Sequence, residues 1–372
     1  MLFTGSLRLS PSLFLGLCLL GSCSSALTPL RADDKAPPTE ELKDEQSKGE
    51  QPKAEESNSG ETKPEEKPSD NFQAIITRHN QAAIEDVKEY VNAHPDAEDV
   101  NQAYGFLFQN ALTLESDADA VAIAEKYLAR ESIEPQLKVV ALQIRSLGFV
   151  NHGKYEEALK VLGEILGERR VRNPGSLVDF GFLLANRMQL EGNIEAVKEC
   201  YEKIGEAYPL NPQLESMIET RLDRLSLIGK PAPELKGKDW EGKEIDLKEY
   251  RGKVLLIDFW ATNCGPCLQE MPNVLQCYTK FNPQGFEVLA VSFDEVKEQA
   301  ESLIKRAKIP WRQAMNETES GELSAPYYVP TIPAMYLVDQ EGNIAFVDLR
   351  GEDLRKAVEK LLNASESKPA AN

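Results

Sequence analysis

Val254-Leu255-Leu256-Ile257-Asp258-Phe259-Trp260-Ala261-Thr262-Asn263-Cys264-Gly265-Pro266-Cys267 is the stretch that decides the fold. Its first half is an unbroken apolar run with a single acid, the pattern of a buried strand. Its second half is a tight turn that opens a helix, because Glu270-Met271-Pro272 leads into an amphipathic segment reaching about Phe281. Two cysteines separated by two residues therefore fall on the first turn of a helix. At that position the helix dipole and free backbone N–H groups favour negative charge. Cys264 is expected to be the low-pKa nucleophile. Cys267, one turn further in, can resolve a mixed disulfide, and the Gly265-Pro266 turn between them lets the pair close reversibly.

The 372 residues are too many for one compact domain, so two domains plus low-complexity segments are expected. A net charge of −19 argues against a nucleic-acid partner and against attraction to anionic lipid. Six cysteines (Cys18, Cys23, Cys200, Cys264, Cys267, Cys277) are too few for a disulfide scaffold. With only His79, His94 and His152 besides, Cys264 and Cys267 lack the partners of a metal site. Cys200 and Cys277 read as small core residues in preference to a disulfide with each other.

Residues 1–26 read as an export signal: Arg8 precedes the apolar run Leu13–Leu20, which is too short to span a bilayer comfortably. Leu20-Gly21-Ser22-Cys23 resembles a bacterial lipobox, which makes Cys23 a lipidation site. Cleavage after Ser24-Ser25-Ala26 is the alternative, and an uncleaved anchor is the third option. All three place the remainder outside the cytoplasm, in the periplasm, held by lipid or by the signal in the first and third cases. Residues 27–70, rich in Glu, Lys, Pro, Ser and Asp, read as a disordered acidic tether.

Residues 71–226 have helical periodicity throughout. Ser116 with Asp119 reads as a helix start. Gly153-Lys154-Tyr155-Glu156-Glu157-Ala158 and Gly192-Asn193-Ile194-Glu195-Ala196 open two similar helices, 39 residues apart. The pattern resembles tetratricopeptide-type repeats, whose period is about 34, so an all-α domain of TPR-like helical hairpins is expected, serving either as packing or as a partner-binding surface. Gly229-Lys230-Pro231-Ala232-Pro233 marks the boundary to a second domain. There, 245–247, 254–260, 286–293, a short segment at Trp311, 334–338 and 344–347 read as strands. Helices are expected over 295–307 and 353–362, a hairpin turn over 340–343, and a disordered tail over 363–372. The result is an α/β domain, 229–362, with a mixed sheet between helices.

Gly229-Lys230-Pro231-Ala232-Pro233, Phe259-Trp260-Ala261-Thr262, Cys264-Gly265-Pro266-Cys267, Glu270-Met271-Pro272, Gly285-Phe286-Glu287-Val288 and Val329-Pro330-Thr331-Ile332-Pro333 occur together and in order. In this, residues 229–362 resemble the TlpA/ResA-like thioredoxin-fold thiol–disulfide oxidoreductases, relatives of the AhpC/TSA proteins. The resemblance implies a cis Pro333 facing the cysteines, with Ile332 pairing its backbone to an extended substrate strand and Trp260 bordering the substrate. It implies that Asp258 is the buried acid serving Cys267, and that Glu270 is a helix residue with a capping or surface role. No cofactor is implied. The partners it implies are disulfide-containing exported proteins, with apo-cytochrome c as one candidate, and an upstream membrane thiol reductant. Asn263 departs from the family's usual Trp and removes a flat apolar surface beside Cys264. A helical interaction protein with a secondary redox domain is the competing reading. A thiol peroxidase is disfavoured, since Ile257 and Ala261 stand where Pro and Thr of the peroxidase pattern would be.

Overall fold

The structure is a computed structural model that describes residues 72–114, 117–168, 170, 173, 175–318 and 321–366. The signal with Cys23, the acidic tether, the cap at Ser116 and the tail beyond 366 lie outside the described residues. By its contacts the chain divides between Gln81 and Ala82, and the described residues from Ala82 onward form one compact unit. Among the described residues no helix is long and apolar enough to cross a membrane.

Among the described residues eight helices come first: α1 (Phe72–Ala93), α2 (Val100–Leu114), α3 (Asp117–Leu128), α4 (Pro135–Asn151), α5 (Tyr155–Leu166), α6 (Gly175–Leu190), α7 (Ile194–Ala207) and α8 (Pro212–Leu225). The α4–α5 and α6–α7 connections share one turn geometry. Gly153 (φ 70°) and Gly192 (φ 86°) take the left-handed conformation that ends a helix cheaply only for glycine. The following amides, Lys154 N–H and Asn193 N–H, donate back to Phe149 and Met188 carbonyls. The similarity of the two segments in the sequence is thus a similarity of helical hairpins.

The second region runs β1 (Val254–Trp260), α9 (Gly265–Phe281), β2 (Phe286–Ser292), α10 (Lys297–Ala307), β3 (Arg312–Met315), β4 (Glu317–Thr318), β5 (Gly321–Glu322), β6 (Ala334–Val338), β7 (Ile344–Val347) and α11 (Gly351–Glu366). The main sheet has the order β3-β2-β1-β6-β7. β1 pairs parallel to β2 and antiparallel to β6, so it is central, and all seven of its residues are buried. That explains why it reads as a continuous apolar run without alternation. Three expectations shift. Residues 245–247 are not a strand: Asp246 accepts from Lys248 N–H at 2.9 Å and starts a 3₁₀ turn over Leu247–Tyr250. Trp311 precedes β3 rather than lying in it. Residues 363–366 continue α11 and are not tail.

Side chains of β1 alternate between two apolar clusters. Leu256 and Trp260 join α9, α10 and α11 in one. Leu255, Ile257 and Phe259 join a second cluster that continues without a break through Tyr327 and Tyr336 into residues of α4 to α8. The helical region therefore shares a core with the sheet. Polar contacts reinforce this. Gln189 of α6 donates its side-chain N–H to the Val347 carbonyl (3.0 Å) and accepts from Val347 N–H (2.8 Å), pairing with the edge strand β7 as a further strand would.

Candidate active site

The site is built at the end of β1. The turn after Trp260 is latched by Asp294, just past β2: it accepts from Thr262 N–H (3.1 Å) and Thr262 Oγ1 (2.5 Å), and from Ser292 Oγ (2.7 Å). Asp294 was not singled out from the sequence, because its partner is 32 positions away. The latch presents Cys264 as the N-cap of α9, where its Sγ accepts from Cys267 N–H at 3.3 Å. A thiolate at that atom would face the positive end of a 17-residue helix. Cys264 and Cys267 are joined as a disulfide, with Cα atoms 5.3 Å apart. Cys264 is the more exposed of the two, at 9 % against 4 %, which suits it to be the sulfur that meets a partner. Gly265 and Pro266, between them, are exposed.

Register brings in the next element. Phe259 faces Ala334 across the β1–β6 pair, so Pro333 lies level with the end of β1, where the chain turns toward Cys264. The Ile332–Pro333 bond is cis. Pro333 O accepts from Arg350 Nη2 at 3.3 Å.

Asp258 lies between Leu256 and Trp260 on the strand face covered by α9. It is 7 % exposed, and its Oδ1 has no hydrogen-bond partner. Burial pushes its pKa up to about 7; the Arg350 guanidinium opposes the rise and Glu270 adds to it. Glu270 is buried as well and takes no surface role. Its Oε1 accepts from Gly351 N–H at 2.7 Å, satisfying one of the free amides at the start of α11. Burial raises its pKa, against the pull of Gly351, Asn273 and Arg350. The spacing held a signal of this burial that the expected surface role passed over: Cys267, Glu270, Val274, Cys277 and Phe281 follow the three–four spacing of one helix face. Two carboxyls and one guanidinium thus interact in a dry layer against the face of α9 that also carries Cys267. Such a layer can hold a proton near neutral pH and accept another as charge develops on sulfur.

Trp260 lies inside the core. It is 1 % exposed, and its indole N–H donates to Gln313 at 3.3 Å, so it supports the turn from within the core. Cys200 and Cys277 are free and buried in separate clusters, and burial pushes their thiols up to about 12 and about 11. Neither is a nucleophile at neutral pH. Among the described residues no group of three or more His, Cys, Asp or Glu could hold a metal.

Residues 228–347 match the AhpC/TSA family. Thiol-disulfide oxidoreductase ResA of Bacillus thuringiensis subsp. konkukian and that of Bacillus cereus (strain ATCC 10987 / NRS 248) are each 33 % identical over 135 residues, covering 36 % of this chain and 76 % of the relative. The crystal structure of the thioredoxin domain of a thiol-disulfide oxidoreductase from Bacteroides vulgatus is 34 % identical, with a TM-score of 0.34, covering 37 % of this chain and 98 % of that domain. The chain belongs to the TlpA/ResA-like family of thioredoxin-fold thiol–disulfide oxidoreductases.

Proposed function

We propose that this oxidoreductase works as a reductant of disulfides in exported proteins, tethered outside the cytoplasm through Cys23. The observation that carries the reducing role is Asp258: a buried acid on the strand leading to the cysteines, without a hydrogen-bond partner at Oδ1, whose pKa burial pushes up to about 7. In the reduced enzyme the Cys264 thiolate attacks one sulfur of the substrate disulfide. That bond breaks, the departing sulfur leaves as a thiolate, and a Cys264–substrate disulfide forms. Asp258, ionised, takes the Cys267 proton. Cys267 then attacks Cys264 Sγ, releasing the second substrate thiolate, which is protonated by solvent. The substrate gains two electrons, and the enzyme keeps the Cys264–Cys267 disulfide until an upstream membrane thiol reductant returns the pair to the dithiol. Ile332, preceding the cis proline, offers main-chain groups to an extended substrate segment, so that recognition tolerates varied side chains. The TPR-like hairpins supply the surface from which this module works.

The redox potential of the full chain, equilibrated in glutathione or dithiothreitol buffers, tests the reading. A value near the thioredoxin range of about −270 mV is expected; one near about −120 mV would make the protein a disulfide donor instead.

A further inference from the structure

Arg224 lies on α8, far in sequence from the cysteines, yet it is 4 % exposed and its guanidinium donates into the redox module. Its Nη1 donates to both carboxylate oxygens of Asp348, at 2.9 and 3.0 Å. Its Nε donates to the Tyr328 carbonyl at 3.1 Å, and its Nη2 to the Thr331 carbonyl at 3.1 Å. Tyr328 and Thr331 bracket Val329-Pro330 and lead directly into Ile332 and the cis Pro333. A single guanidinium therefore grips the loop at two carbonyls, while Arg350 holds its end at Pro333 O.

The gripped segment begins at the left-handed C-cap of a 3₁₀ turn over Ala325–Tyr327. Tyr328 sits in the left-handed region at φ 53°, a conformation that a non-glycine residue keeps only where its surroundings impose it. The residue is 45 % exposed, so packing of the ring does not impose it. Asp348, also left-handed at φ 56°, is the anchor: buried, it faces Arg224, Arg221 of α8 and Arg350.

We propose that Arg224 is a positioning residue for substrate recognition, through which the helical region fixes the Tyr328–Pro333 loop in the shape that lets Ile332 pair with a substrate strand. This rests on the protein-disulfide reading above. It makes the helical region part of the recognition apparatus of the redox site.

The test compares two substrates in the full chain: an unstructured peptide carrying an intermolecular disulfide, and the small aromatic disulfide dithiobis(nitrobenzoate), which has no strand to pair. In Arg224→Met, KM for the peptide should rise about tenfold or more, the scale of a lost charge-assisted hydrogen bond. The peptide kcat, the rate with the small disulfide and the redox potential should stay near wild type. Arg224→Lys keeps the charge opposite Asp348 but cannot fork to both carbonyls, and should lose peptide preference to a lesser degree. It carries the test alone if Arg224→Met does not fold. A variant that folds and retains the full peptide preference overturns the proposal. Equal loss with both substrates overturns it too, since that is the mark of a merely structural residue. A wild-type enzyme without preference for the peptide removes the main-chain reading, and the proposal with it.

Discussion

Replacing Asp258 by Asn removes one titrating oxygen from a buried layer and little else. In an unfolded chain an aspartate titrates near 3.9, whereas in the fold burial raises Asp258 to about 7. Below about pH 4 the carboxyl is protonated in both states and does not bias folding. Between about pH 4 and the folded value of about 7 the unfolded chain ionises while the native one keeps its proton. Stability is therefore lost as pH rises through this window, and the loss is complete above it. At about 1.4 kcal/mol per pH unit, the ionised carboxylate costs the fold roughly 4 kcal/mol. Asp258→Asn should thus match wild type near pH 4 and exceed it by a few kcal/mol at pH 8, measured on the oxidised protein by urea unfolding. Arg350, Glu270 and the neighbouring Cys277 face the same layer, and they remain in both proteins. The same substitution removes the proton acceptor, so disulfide reduction should slow by about 10²- to 10⁴-fold, with the first attack by Cys264 less affected. A stability difference that does not change between pH 4 and 8, or unchanged reduction kinetics, would refute the assignment of Asp258 as a buried acid of raised pKa that serves Cys267.

Cys267→Ser should trap exported partners as mixed disulfides through Cys264, while Cys264→Ser traps none; equal trapping by both would reverse or erase the division of roles. Mass spectrometry of the mature N-terminus should find a lipidated Cys23; a chain beginning at Leu27 would replace the lipid tether with ordinary signal cleavage.

Much of the site was legible because it is local. The strand, the turn and the helix start follow one another within 254–267, and the hairpin at 340–343 carries its own turn chemistry: Asp339 accepts from Asn343 N–H at 2.7 Å, and Gly342 takes φ 84°. The burial of Trp260 could not be read for a physical reason. A strand buried on both faces shows no alternation, so nothing in the sequence separates a core tryptophan from one lining a groove. Ile245 to Leu247 looked strand-like on propensity, and the Asp246 side chain captured the backbone instead. Glu270 carried a helix-face signal, but a charged residue on such a face is ordinarily exposed. Arg350 and Asp348 gave no signal at all, since what defines them is the set of groups that surround them in space.

The least legible feature is the join between the helical and redox regions, and its chemistry argues for geometry over stability. Apolar burial between α4–α8 and the sheet would suffice to hold the two together. A buried ion pair adds little to that, because removing two charges from water offsets most of their attraction, and apolar replacements of similar volume are often as stable. Arg224 and Asp348 nonetheless stand at the join, 124 residues apart, with Gln189 hydrogen-bonded to β7 nearby in the same unit. What polar groups supply that apolar ones cannot is direction. Gln189 fixes the register of α6 against the edge strand through a pair of bonds to one residue. Arg224 fixes three acceptors at once, two of them carbonyls in the segment that ends at the cis proline. A slip of α8 by one turn, about 5.4 Å, would keep apolar contact but lose every one of those bonds. The helical region is thereby committed to one placement, and the loop beside the cysteines takes its shape from that placement.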